Sequence, residues 1–91
     1  MNENFKVYLS YDDQCQAWLA YVEDSEIIAF GKTPDHAFFR IVGVLHTELE
    51  KVGYNRGLLP ARATPLPENY SEIRTMSVEA KISEIEKLAK P

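Results

Sequence analysis

The chain is short of the residues that chemistry and export usually need. Among 91 residues there is one cysteine, Cys15, so no disulfide can close within the chain. There are two histidines, His36 and His46. The ten Lys and Arg residues never stand side by side, and fourteen Asp and Glu outnumber them, for a net charge of −4. Binding a nucleic-acid backbone needs clustered cations to replace its counterions, so direct nucleic-acid binding is not expected. No apolar run approaches the ~18 residues of a membrane span. The first residues, Met1-Asn2-Glu3-Asn4-Phe5, carry neither the basic stretch nor the apolar stretch of a signal peptide. A soluble, cytoplasmic protein is the expectation.

What is present is ordinary globular material, 45% hydrophobic and 26% charged, and its length suits one domain over residues 1–91. A core of this size is small. Association into an oligomer, most simply a dimer, is a common way to bury more apolar surface.

Residues 5–11 alternate, with Phe5, Val7, Leu9 and Tyr11 on one face and Lys6, Tyr8 and Ser10 on the other. That period marks a half-buried strand. Asp12-Asp13-Gln14-Cys15 reads as a turn, and residues 16–23 as the return strand. The return strand is apolar on both faces, which suits a central position. Asp24-Ser25 turns the chain again, and residues 26–30 form a short third strand ended by Gly31.

A helix follows. Thr33 is the expected N-cap, Pro34 takes the first helical position, and Asp35 complements the helix dipole. Ala37, Phe38, Ile41, Val42, Leu45, Leu49 and Val52 recur at helical spacing as one apolar stripe, and Gly53 ends the helix. Residues 54–69 contain Gly57, Pro60, Pro65 and Pro67 and read as a loop of about fifteen residues, long for a compact domain. Residues 73–77 read either as a fourth strand or as the approach to a helix. Val78, Ile82, Ile85 and Ala89 share one helical face, so residues 73–90 are expected to hold a strand and a C-terminal helix.

The expected fold is therefore α+β: a small antiparallel sheet of three to four strands with one long helix packed on it, in the order β-β-β-α-β-α. Three short motifs in this order resemble the HicB-like antitoxin family. They are Tyr11-Asp12-Asp13, Ala17-Trp18-Leu19-Ala20, and Gly31-Lys32-Thr33 with Asp35-His36-Ala37. Pro65-Leu66-Pro67-Glu68 is similar to a Pro-x-Pro turn that family members carry before a fourth strand. The resemblance covers residues 4–52 well and 65–78 loosely. It implies a degraded RNase H-like fold that has lost nuclease activity. It also implies a role in a toxin–antitoxin system, where the protein covers the active surface of a small, basic, RNA-cleaving toxin.

The chain departs from the family in two places. Glu23-Asp24-Ser25-Glu26-Ile27 stands where the family has a proline-glycine segment. Only fourteen residues follow Ser77 (91 − 77), enough for one helix but not for a helix-turn-helix or ribbon-helix-helix. The resemblance therefore implies an antitoxin-like core without the means to bind operator DNA alone.

The residues give no sign of catalysis. Asp12 and Asp13 are read as turn residues that bond their own backbone. Cys15 sits among carboxylates, which oppose thiolate formation. His36 and His46 are ten residues apart on one helix, so they point ~80° apart and lie ~15 Å apart along it, and cannot share one metal. No catalytic, cofactor-binding or metal-binding residues are assigned, and no enzyme activity is expected.

The acidic chain suits a basic protein partner. The expected contact surface is a second stripe on the long helix: Phe39, Gly43, His46 and Glu50, spaced four, three and four. Two covers for that stripe stay open. One is the chain's own proline loop or C-terminal helix, and the other is a partner or a second subunit.

Overall fold

The computed structural model describes residues 4–77. Four strands form one antiparallel sheet: β1 (Asn4–Asp12), β2 (Ala17–Val22), β3 (Ile28–Gly31) and β4 (Glu72–Ser77), in the spatial order β3-β2-β1-β4. One helix, α1 (Pro34–Lys51), lies between β3 and β4 in sequence. The expected α+β class and the order β-β-β-α-β hold. Residues 73–77 resolve as strand. The expected C-terminal helix lies outside the described residues.

Register divides the sheet into two faces. Val7 pairs with Val22 and Leu9 with Ala20, Ala20 pairs with Ala29, and Phe5 pairs with Met76. Those residues are buried, together with Ala37, Ile41, Leu45 and Leu49 of α1. This is the core, and Trp18, Phe38, Val42, Val52 and Tyr54 pack on its margins. Each large side chain fully buried here contributes about 1.5–3 kcal/mol.

The helix ends follow from local chemistry. The Thr33 hydroxyl accepts from the His36 amide at 3.0 Å, satisfying one of the orphan donors of the first turn. At the other end Gly53 adopts φ +62°. The Gly53 amide donates to Glu50 O at 3.2 Å and the Tyr54 amide to Leu49 O at 2.7 Å. That pair of bonds is a Schellman motif, and it folds Tyr54 back against the core. A second clamp joins α1 to β4. The Arg74 guanidinium meets Asp35 at 2.7 Å and Glu72 at 3.0 Å, and lies 5.2 Å from the Phe38 ring centre.

The proline loop has a definite course. A single 3-10 turn over Arg56–Leu58 begins it. Arg56 bonds the Asp24 carboxylate at 2.7 Å and Asn4 O at 2.6 Å, with its guanidinium 3.9 Å from the Phe5 ring centre. Pro60 O accepts from Ser25 Oγ at 2.9 Å and from the Glu26 amide at 3.1 Å. Arg62 then reaches Val22 O at 2.9 Å and covers the Tyr21 ring. At the far end Tyr70 meets Tyr8 edge-on at 4.9 Å, and the Ser71 amide bonds Leu9 O at 2.7 Å. Tyr8 and Tyr21 pair across the sheet on the face away from α1. The loop is thus a strap over the sheet's second face.

This strap also explains a shifted boundary. The third strand was expected over residues 26–30 but forms over Ile28–Gly31. Ser25 bridges Ala61, and the Glu26 carboxylate accepts from the Ala63 and Thr64 amides. The loop takes the backbone and side-chain groups that would have extended β3.

Candidate interaction surface

Three surfaces could meet something else. The first is the upper side of α1. Phe39, Gly43, His46 and Glu50 fall within an arc of about 60° on the helix, beside the buried stripe. The Phe39 side chain is 82% exposed. A β-carbon on Gly43 would touch nothing within 4 Å, so the backbone is bare there. His46 is half-buried, and its Nδ1 is buried with no hydrogen-bond partner among the described residues. The Glu50 carboxylate accepts from the Tyr54 hydroxyl at 3.3 Å. The four expected residues therefore do share one strip. The proline loop, one of the internal covers considered for it, meets the strip through Tyr54 at Glu50, while Arg62 and Tyr70 lie on the opposite face of the sheet. The C-terminal helix, the other internal cover, lies outside the described residues.

The second surface is the flank of α1 that faces β3. Arg40, Gly43, Val44, Thr47 and Glu48 line an open groove of about 550 Å³. Arg40 reaches the strand edge, where it donates to Phe30 O at 3.2 Å and stands 5.3 Å from the Phe30 ring centre. Glu48 holds Lys51 at 3.1 Å. Thr47 Oγ1 bonds back to Gly43 O at 3.0 Å. Val44 is 40% exposed.

The third is the strapped face of the sheet. Phe30 and Ile28 project there from β3, 57% and 49% exposed. A groove of about 380 Å³ opens beside the strap, with Ser10, Asp12 and Tyr21 on its floor and Pro67 and Asn69 on its wall. Asp12 Oδ1 accepts from the Gln14 and Cys15 amides at 2.9 and 3.3 Å, the turn role read from the sequence. The Asp12 carboxylate is the main cause that pushes the exposed Cys15 thiol above its ordinary pKa. Burial, and then Asp12, push the Tyr21 phenol up.

Among the described residues no three His, Cys, Asp or Glu side chains stand close enough to hold a metal ion. No helix among them is long and apolar enough to cross a membrane. No protein-family model, curated protein or solved structure matches the chain.

Sequence reasoning passed over the exposed pair Ile28 and Phe30. The signal was the run Ile27-Ile28-Ala29-Phe30, apolar at every position, which puts large side chains on both faces of an edge strand. It also passed over Arg40 and Glu48, which carry opposite charges about two turns apart on one flank of the helix.

Proposed function

We propose that this chain is a non-catalytic protein-binding domain of the HicB-like antitoxin type, working in the cytoplasm. It acts by covering the active surface of a small basic RNA-cleaving partner. The observation that carries this reading is Phe39. A phenyl ring 82% exposed at mid-helix, one turn from a bare glycine backbone, offers an apolar anchor beside a place where another chain can come close. The net charge of −4 favours a basic partner and speeds the encounter. The β-β-β-α-β order supports the family likeness, which otherwise rests on the short motifs alone.

The test is binding to a short basic protein encoded beside this gene, followed by Phe39→Asp. The substitution is expected to abolish binding while circular dichroism and the melting midpoint stay unchanged. Full binding by a folded Phe39→Asp variant would remove Phe39 from the contact. A neighbouring frame that encodes no basic protein, with none recovered by pull-down, would end the antitoxin reading.

A second reading is a self-associating regulatory protein with no toxin partner. The exposed Ile28 and Phe30 on the short edge strand favour it. A concentration-independent monomer in analytical ultracentrifugation would exclude it.

A further inference from the structure

We infer that α1 pairs with α1 of a second copy, antiparallel, about a two-fold axis passing beside Val44. The pairing uses the flank that faces β3 and shares Gly43 with the strip assigned to the Phe39 contact.

The argument begins with charge placement. Arg40 and Glu48 lie four residues to either side of Val44 on one flank of the helix. They are separated by ~12 Å along the helix axis. A two-fold axis at Val44 brings Arg40 level with the second copy's Glu48, and Glu48 level with its Arg40. One flank thus supplies both halves of two ion pairs, the self-complementary pattern that a two-fold interface requires. Parallel pairing in register would instead set Arg40 against Arg40 and Glu48 against Glu48, so the charges also select the direction.

Shape agrees with charge. The flank is an open groove of about 550 Å³ with Val44 in it and Gly43 at its outer margin. Gly43 presents backbone with no side chain, which lets a second helix approach closely. At the strand edge Arg40 stays within reach of the flank's margin, bonded to Phe30 O at 3.2 Å. The present partners of both charges are exposed contacts. Glu48 holds an exposed ion pair with Lys51 and Arg40 an exposed backbone carbonyl, both weak contacts that are readily exchanged.

The experiment is sedimentation equilibrium on the full chain, with Arg40→Glu, Glu48→Arg and the double variant. The wild type is expected to dimerise. Each single reversal is expected to raise the dissociation constant about tenfold or more, because each places two like-charged pairs across the axis. The double variant restores both pairs with reversed polarity and is expected to return to within about threefold of wild type. Gly43→Leu is expected to weaken the dimer while leaving the monomer folded by circular dichroism. A wild type that stays monomeric overturns the inference, as does a dimer indifferent to the single reversals. Weakened singles with an unrestored double overturn the register. If a reversal fails to fold, Arg40→Gln and Glu48→Gln serve in its place. The wild-type dimer then loosens as salt rises and the Gln variants respond less, and an equal salt response overturns the pairing.

Discussion

A β-carbon placed on Gly31 would stand 2.6 Å from the Ala37 amide nitrogen. The last residue of β3 thus lies directly beneath the first turn of α1, and only a residue without a side chain lets the two backbones come that close. Gly43, on the same helix, is the reverse case, with open space where a side chain would be.

Gly31→Ala is expected to destabilise the chain by about 1–3 kcal/mol, since the obstacle is backbone and cannot swing aside. Gly43→Ala, measured at a concentration low enough to hold the monomer, is expected to stabilise it by up to about 1 kcal/mol through helix propensity. Urea unfolding of the two variants checks both signs.

Ile41 and Leu45 have no exposed surface and face the sheet from the middle of α1. Truncating either to Ala removes buried atoms and leaves a cavity that the surrounding strands cannot fill. The expected cost is about 2–5 kcal/mol, read as a lowered urea midpoint with an unchanged slope.

The Glu26 carboxylate is held below its ordinary pKa of 4.5, first by the Thr64 amide and then by the Ala63 amide. A carboxylate whose folded pKa is lowered stabilises the fold fully above its ordinary value. The stabilisation fades as pH falls from there through the folded value. Glu26→Gln is therefore expected to melt below wild type at pH 7. The gap should narrow as pH drops under 4.5 and close below the lowered folded value, where the wild-type side chain is neutral in the folded chain too. Melting curves of both proteins between neutral and acid pH test this, and a gap independent of pH would show that the strap's anchoring does not depend on that charge.

Cys15 should alkylate slowly for an exposed thiol, because the Asp12 charge keeps it above its ordinary pKa of 9.0. Asp12→Asn keeps an oxygen to accept from the Gln14 and Cys15 amides but removes the charge. The rate with iodoacetamide at pH 8 is expected to rise severalfold. The two proteins should converge in strongly alkaline solution, where both thiols are ionised.

Much of the fold was legible because its signals are local. The Thr33-Pro34-Asp35 start and the Gly53 stop of α1 depend on residues within one turn of each end. The alternation of Phe5, Val7 and Leu9 places them on the face they occupy. What stayed hidden depends on distant partners. Nothing near Glu26 signals that residues 63 and 64 will take its carboxylate and shorten β3. Nothing in the prolines signals which face of the sheet they will cross. The surface was legible in the same partial way. Helical spacing put Phe39, Gly43, His46 and Glu50 on one strip, but the pairing potential of Arg40 and Glu48 became visible only once Val44 was found exposed between them.

The sheet order has a kinetic consequence. β1, synthesised before the other three strands, lies inside the sheet, and its second neighbour is β4. Asn4 must find Ser77, and Phe5 must find Met76, across nearly the whole described chain. The β1–β2 hairpin closes through nearby residues, whereas the β1–β4 seam waits for late synthesis and a large loop to close. Until then a nascent chain carries one naked margin on β1, the moment when it is most exposed to pairing with a neighbour.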